Sequence, residues 1–314
     1  MKSISRDFFS TKSLLGLFIS FICIYYVYLN FNLNSFIGHI LTLDFSLLCL
    51  SLFTIFLSLI VRAIRWKMIF NSKDILIYDL YRSEVLGFWG NSLFPLKLGE
   101  LIKIHYAKIL TQKQYSIVLG TIIIERLADF IIIAPFLVLL YIYFPGDFFL
   151  GKIESLIIII ILSVFIIFLL KYVFVSLKNK IKNFFRGIAL FEISKNKNSI
   201  LFSTIIIWVL IYLDVYFIQA SMIDLDLTLL ECFYIMLVGT IVYIIPSSPG
   251  TFGTFHLAIQ EFMTVFLDKS ESISIAFAFI LHAHSYIFFI LVGTYYFSKD
   301  SKEILSFRKN NAVY

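Results

Sequence analysis

The sequence predicts an all-α polytopic membrane protein with about six spanning helices and two re-entrant helical hairpins arranged as an inverted repeat. Of the 314 residues, 60% are hydrophobic and only 15% are charged, a balance far more apolar than that of a soluble domain. Several apolar runs reach the ~20 residues that a helix needs to cross a bilayer. Proline, glycine and polar residues interrupt two other apolar stretches, and these stretches are the predicted hairpins.

Basic residues beside the first two apolar runs predict the orientation of the chain. The first helix is predicted at about 14–30 and the second at about 44–61. Three basic residues precede the first helix, whose length and lack of small residues at its exit argue against a cleaved signal peptide. Arg62, Arg65 and Lys67 follow the second helix. By the positive-inside rule, the N-terminus and the segment after the second helix are cytoplasmic.

The first predicted hairpin is centred on Pro95. The apolar run 85–96 is too short to span a bilayer, and basic residues flank it on both sides. Pro95 lacks the backbone donor that a helix interior needs, and Gly99 allows another segment of backbone to approach closely. A hairpin that enters from the cytoplasmic side leaves both cationic flanks in the cytoplasm, whereas a single crossing would place one of them outside.

The rest of the chain predicts more spanning helices and a second hairpin. The helices are predicted at about 116–144, 153–175, 199–222 and 273–297. Apolar runs at 229–245 and 252–267 flank a Pro-Ser-Ser-Pro-Gly break, which predicts a hairpin entered from outside. Lysines and arginines follow the fourth and the last helices, so those segments and the C-terminus are predicted to be cytoplasmic.

Residues 1–314 are predicted to form a single transmembrane domain of two inverted halves, roughly 1–145 and 152–314. Each half has two helices, a hairpin and one more helix, and the second half starts from the opposite side of the membrane. The breaks share the pattern Pro-x-x-x-Gly, at Pro95 to Gly99 and at Pro249 to Gly253. In transporters, inverted repeats place the binding site at broken helices near the bilayer midplane.

Charged residues inside the predicted third helix have two interpretations. Glu125, Arg126 and Asp129 each cost ~3 kcal/mol at the membrane centre, and the trio therefore opposes insertion by roughly 9 kcal/mol unless it is partnered. Glu125 and Asp129 share one helix face, and Arg126 lies beside Asp129. The trio is either a self-compensating structural cluster or a polar cavity wall, where Arg126 meets an anionic group or the carboxylates exchange a proton.

Two other groups of residues are candidates for anion binding. Arg62 and Arg65 share a helix face near the membrane surface, where guanidinium groups suit a lipid phosphate but also serve as ordinary interfacial anchors. The segment from Pro246 to Gly253 leads into the apolar helix after Phe252, and its exposed amides at a helix N-terminus favour an anion, although a plain structural turn explains the same residues.

No motif predicts a metal, a cofactor or a nucleic-acid partner. His256, His282 and His284 could bind a metal, but buried hydrogen-bonding roles explain them better. The three cysteines stand alone in separate apolar runs. The excess of basic residues is concentrated in loops and sets the membrane orientation. Asp214 is a lone intramembrane acid to which the sequence assigns no role.

Four motifs resemble those of the flippase-like family named for the transmembrane region of lysylphosphatidylglycerol synthases. In order along the chain they are Arg62-x-x-Arg65-Trp66, Asn91-x-x-x-Pro95-x-Lys97-x-Gly99-Glu100-x-x-Lys103, Glu125-Arg126-Leu127-x-Asp129 and Pro249-Gly250-x-x-Gly253. The resemblance covers most of the chain and implies lipid translocation by a member without the soluble synthase domain. The family often has arginine at Lys97 and Lys103. It commonly has an acid at His256, which puts any proton-linked role there in doubt.

Three functions remain open at this stage. The leading hypothesis is a translocator that moves an anionic phospholipid or lipid-linked head group between leaflets of the cytoplasmic membrane. The alternatives are an integral-membrane transferase acting on a lipid or lipid-linked sugar, with Glu100, Glu125 and Asp129 as acid or base, and a non-transporting partner of an envelope-lipid synthesis enzyme. The absence of a recognisable catalytic motif favours the translocator, with a second copy of the chain or an envelope-synthesis enzyme as candidate partner. The predicted substrate-binding residues are Arg62, Arg65, Asn91, Pro95, Lys97, Gly99, Glu100, Lys103, Glu125, Arg126, Asp129, Ser248, Pro249, Gly250, Gly253 and His256.

Overall fold

The computed structural model describes residues 11–29, 31–143, 196–243 and 248–310, and every regular element in those ranges is helical. The α-helices are α1 (Thr11–Leu29), α2 (Leu33–Leu41), α3 (Phe45–Phe70), α4 (Ile77–Leu93), α5 (Gly99–Thr111), α6 (Tyr115–Tyr143), α7 (Lys197–Ser221), α8 (Leu229–Val242), α9 (Thr254–Phe266) and α10 (Glu271–Asn310). Short 3-10 turns at Pro95–Lys97 and Pro249–Thr251 separate α4 from α5 and α8 from α9. The helix predicted at 153–175 lies outside the described residues.

Three of the described helices are long and apolar enough to cross a membrane: α3, α7 and the part of α10 from Glu271 to Asp300. Helices α1 and α2 meet at 88°. They would add a fourth span if together they form one bent crossing. The protein is therefore an all-helical membrane protein in its described part. The count of about six spans and the inverted repeat remain predictions.

No helix was predicted between the first two spans, at about 14–30 and 44–61, but the structure has one there. Asn32 caps α2 by accepting a hydrogen bond from the Ser35 amide at 3.1 Å. Helix α2 packs on α10, where the rings of Phe36 and Phe279 are 5.8 Å apart. The N-cap residue Asn32 is the sequence signal that could have predicted this helix.

Helix α3 begins where the sequence predicted and ends later. The Asp44 carboxylate caps it by accepting from the Ser46 amide at 2.7 Å, and Asn71 ends it in a left-handed conformation. The helix continues to Phe70 because Trp66, Ile69 and Phe70 are buried against its neighbours. As a result, Arg62 and Arg65 lie within a packed helix rather than at its frayed end.

Each of the two interrupted stretches folds into a pair of antiparallel helices with its own core. Helices α4 and α5 pack with α3 and α6 around apolar residues such as Leu80, Val85 and Ile104. Helices α8 and α9 pack with α6, α7 and α10 around Ile235, Phe262 and other buried side chains. Along the outside of the molecule, large apolar side chains are exposed, as a surface in contact with lipid requires.

Candidate functional site

A buried network of ion pairs joins helices α3 to α6. Arg65 on α3 is fully buried, and its guanidinium lies 2.5 Å from Asp129 and 3.5 Å from Glu125, both on α6. Lys103 on α5 is also buried, and its Nζ donates to Glu84 on α4 at 2.7 Å and to Glu125 at 2.8 Å. Glu125 therefore bridges two cations, with one cation on each of its oxygens.

Neutral side chains complete the environment of these cations. Arg65 Nη1 also donates to the Thr204 hydroxyl on α7 at 3.1 Å. The Lys103 ammonium lies 4.3 Å from the Trp66 ring centroid, and the Trp66 indole N–H donates to Thr121 at 2.8 Å. Such contacts compensate for the water that a buried cation loses. The geometry supports the structural interpretation for Glu125, whose partners come from other helices rather than from Arg126.

Arg126 marks the outer edge of the network. Its side chain is 49% exposed, and it contacts Glu100 on α5 at 3.0 Å and Asp129 at 3.5 Å. Glu100 is itself 34% exposed. The charged trio of α6 is thus divided, since Glu125 and Asp129 face inward while Arg126 reaches the surface of the bundle.

Two cations at this edge lie over aromatic rings. The Arg62 guanidinium is 5.6 Å from the Phe88 ring, and Lys97 Nζ is 6.0 Å from the Tyr243 ring. Within the described ranges, neither cation forms an ion pair at contact distance. Asp129 lies within electrostatic range of Arg62, and Arg126 and Glu100 lie within range of Lys97. The cluster as described holds five cationic and four acidic side chains, so one positive charge is uncompensated.

The first break brings α4 and α5 into close contact. Pro95 begins the 3-10 turn, and Lys97 within it has a left-handed φ of 56°. A Cβ at Gly99 would overlap the Gly87 carbonyl and Asn91, so only glycine allows this approach. The Asn91 side-chain oxygen is buried here and accepts no hydrogen bond from the described residues.

The second break depends on glycine in a different way. Gly250 and Gly253 have φ angles of 64° and 86°, a left-handed region that costs glycine little. The Ser248 amide donates to the Ser20 hydroxyl of α1 at 2.9 Å, and the Gly253 amide donates to His256. Two of the amides predicted to receive an anion are therefore already bonded within the protein. The preceding residues, Pro246 and Ser247, lie outside the described part.

The two breaks, which were predicted to form one site, are neighbours in space. The turns at Pro95–Lys97 and Pro249–Thr251 pack against one another. Helix α10 connects them, because the Tyr286 hydroxyl donates to the Ser92 carbonyl at 3.3 Å and His282 Nε2 donates to the Gly250 carbonyl at 2.7 Å. A broken, polar region thus lies beside the buried ion network.

His256 has a structural role at the start of α9. Its side chain is buried, and Nδ1 accepts a hydrogen bond from the Gly253 amide at 3.2 Å. A glutamate or glutamine often makes this contact at the third position of a helix. His256 therefore makes at this position the capping contact that an acid could also make.

Sequence reasoning missed several partners of the charged residues. Glu84 immediately precedes the apolar run that begins at Val85, and a charge at the edge of such a run is the signal that could have identified it. Asp214, which was left unassigned, pairs with His284 at 2.9 Å. In the described part of the chain, no three His, Cys, Asp or Glu side chains are grouped as metal ligands.

Comparison with known proteins places the chain in a family. A curated relative is the UPF0104 membrane protein MJ1078 of Methanocaldococcus jannaschii, which is 28% identical over 236 residues, 70% of this chain and 97% of that protein. No solved structure shows a significant match. The family model described as "Lysylphosphatidylglycerol synthase TM region" matches residues 13–293. That range includes the ion network and both breaks, and the chain belongs to this family of membrane proteins.

Proposed function

We propose that the protein is a lipid translocator that moves an anionic phospholipid or a lipid-linked anionic head group between the leaflets of the cytoplasmic membrane. The observation that carries the proposal is the position of Arg62 and Lys97, which form no ion pair within the described residues and lie at the edge of a broken, polar region. A lipid phosphate would supply the negative charge that this edge lacks. The family name refers to a phospholipid synthase, which agrees with a phospholipid ligand.

The packing of the hairpins supports alternating access by an inverted repeat. In chain order, α3 and α6 enclose the first hairpin, and α7 and α10 enclose the second. The Lys269 ammonium donates to the Asp226 carbonyl at 2.7 Å, so the second hairpin begins and ends at the same level of the molecule. In the proposed arrangement the hairpins enter from opposite sides and the head group crosses where their breaks meet.

The ion network revises the roles expected for two of the basic residues. Arg65 and Lys103 were expected to bind phosphate directly, but both are buried and engaged by carboxylates. In the proposal they are the scaffold that fixes α3, α5 and α6. Arg62, Lys97 and the half-exposed Arg126 are the groups that meet the lipid.

The same contacts favour translocation over transfer chemistry. Both oxygens of Glu125 face cations, Asp129 contacts two arginines, and Glu100 contacts Arg126. A carboxylate held by cations is a weak general base, because removing its negative charge would leave the cation unpaired.

The test is exchange of fluorescent lipids between leaflets of proteoliposomes. Wild type should accelerate exchange of an anionic phospholipid more than that of a zwitterionic one. Arg62→Gln and Lys97→Gln each remove a charge-assisted contact of ~1.5–3 kcal/mol and should slow exchange roughly tenfold or more. Lys108 is the matched control, because it also lies over an aromatic ring, Tyr115, at 5.0 Å.

Three results would decide the matter. Lys108→Gln should exchange lipid as wild type does, and all variants should melt normally. Full exchange in the Arg62→Gln, Lys97→Gln double variant would remove these cations from the mechanism. Conversion of a lipid into a new product by the purified protein, with no exchange, would overturn the translocator in favour of an enzyme.

A further inference from the structure

A second polar group lies inside the membrane-embedded helices and is separate from the ion network. His284 Nε2 on α10 is 2.9 Å from Asp214 Oδ1 on α7, and the Ser51 hydroxyl on α3 donates to the same oxygen. The side chains of His284 and Asp214 are only 9% and 14% exposed. Among the described residues, neither of the two forms an ion pair with a third charged side chain.

The hydrogen-bond pattern determines how many protons this pair holds. His284 Nδ1 lies 3.0 Å from the Ile280 carbonyl oxygen, which can only accept, so Nδ1 carries a hydrogen. Nε2 and Asp214 Oδ1 are 2.9 Å apart, and lone pairs on both atoms would repel, so one hydrogen lies between them. With Nδ1 also protonated, the pair holds one proton more than a neutral histidine beside an aspartate. Placed on Nε2, this proton makes His284 an imidazolium beside a carboxylate to which Ser51 also donates.

We propose that Asp214 and His284 form an intramembrane proton-binding site that couples lipid movement to proton movement, the coupling resting on the proposed function. Release of the Nε2 proton to water leaves a ring lone pair facing a carboxylate oxygen at 2.9 Å, which is repulsive, so the contact between α7 and α10 opens. Helix α10 also carries the hydrogen bonds to both breaks. The protonation state of the pair thereby reaches both breaks.

The surroundings of the pair are compatible with this role. His282 on α10 and Tyr243 at the end of α8 lie within electrostatic range of it, and α3 contributes the Ser51 hydroxyl. His284 also lines a cavity of about 280 Å³ between α3 and α10. The other residues that line this cavity are apolar.

The first experiment measures the proton directly and does not depend on transport. In full-length protein labelled with ¹⁵N-histidine and reconstituted in lipid, His284 should show two protonated ring nitrogens at neutral pH. Asp214→Asn should convert it to a neutral imidazole. His284→Gln assigns the signal; if that variant does not accumulate, the signal is assigned by its persistence when His39, His105, His256 and His282 are replaced in turn. A neutral His284 in wild type would overturn the site.

The second experiment measures coupling. In proteoliposomes, a pH gradient should change the rate of anionic-lipid exchange by wild type, and Asp214→Asn should exchange at a rate that is independent of the gradient. The control is Asp224→Asn, because Asp224 lies 3.5 Å from His39 in an acid–histidine pair whose carboxylate is exposed, and it should retain the gradient dependence. Gradient-independent exchange by wild type would overturn the coupling and leave the translocator standing. An imidazolium at His284 without any lipid exchange would overturn the proposed function and leave the proton site standing.

Discussion

At the scale of single residues, Glu125 shows how the chain tolerates charge deep in a membrane protein. Its side chain is 1% exposed, yet each oxygen faces a different cation on a different helix. Arg65 and Lys103 would both lose a partner if this carboxylate were removed. A buried ion pair contributes little net stability when intact, but breaking one leaves an uncompensated charge.

We predict that Glu125→Gln lowers the free energy of unfolding by about 3–5 kcal/mol, because it removes the charge that compensates two buried cations. The measurement is thermal or denaturant unfolding of the detergent-purified protein. Glu100→Gln is the matched control, since the pair that it breaks with Arg126 is partly exposed. Its cost should be about 0–1 kcal/mol. Equal melting of the two variants would show that the network is hydrated.

Residue types in the site were predictable from the sequence, and their partners were not. Intramembrane charges at Glu125, Arg126 and Asp129 stand out in any apolar run. That Glu125 pairs with Lys103 rather than with its neighbour Arg126 depends on how α5 packs on α6, and no local spacing encodes this packing. Thr204 is a further example, because a threonine in an apolar helix carries no signal of its contact with Arg65.

At the scale of elements, the first hairpin depends on the absence of side chains where its helices cross. Gly87, Gly90 and Gly99 lie at the crossing of α4 and α5, and a Cβ on any of them would touch the opposite helix. Small residues allow membrane helices to approach this closely, where packing replaces the hydrophobic effect. Lys103 can then reach Glu84 across the same crossing.

We predict that Gly99→Ala destabilises the protein by about 1–3 kcal/mol, because the new methyl group would collide with the backbone of Gly87. The control is Gly38→Ala in α2, where nothing lies within 4 Å of the new Cβ. That variant should be as stable as wild type or up to ~1 kcal/mol more stable, since alanine favours helix. A Gly99→Ala protein that melts with wild type would contradict the close crossing.

Among the described helices with long apolar runs, both ends of α1, α6 and α7 were predicted closely, whereas the C-terminal ends of α3 and α10 were not. Both breaks were predicted because proline and glycine leave direct marks on a sequence. The extension of α3 to Phe70 was missed, because basic residues after position 61 resemble the end of a span. Burial of Trp66 and Phe70 outweighs that signal, and such burial becomes visible only in the packed structure.

At the scale of the whole molecule, the proposed mechanism depends on the contact between the breaks of the two hairpins. The sequence predicted that the two Pro-x-x-x-Gly breaks belong to one site, and in the structure their turns pack together. Their position relative to a bilayer remains a prediction from the charges of the flanking segments.

We predict that single cysteines at Asp226 and Lys269, in a background without the native cysteines, react with a membrane-impermeant reagent from the outside. A cysteine at Asp74 should react only from the cytoplasm. The first two share a side because the Lys269 ammonium contacts the Asp226 carbonyl. Labelling of Asp226 and Lys269 from opposite faces would contradict the re-entrant hairpin, and labelling of all three from one face would contradict the inverted repeat.

The hydrogen bonds that α10 makes to the two breaks limit how the protein can move. His282 and Tyr286 lie one turn apart on an uninterrupted helix, so a tilt of α10 would displace both turns in the same direction. Neither break could shift alone without losing its bond to this helix. Two turns that moved independently would give four combinations of positions, whereas turns bonded to one rigid helix give two, so the structure favours a two-state motion in which both breaks shift together.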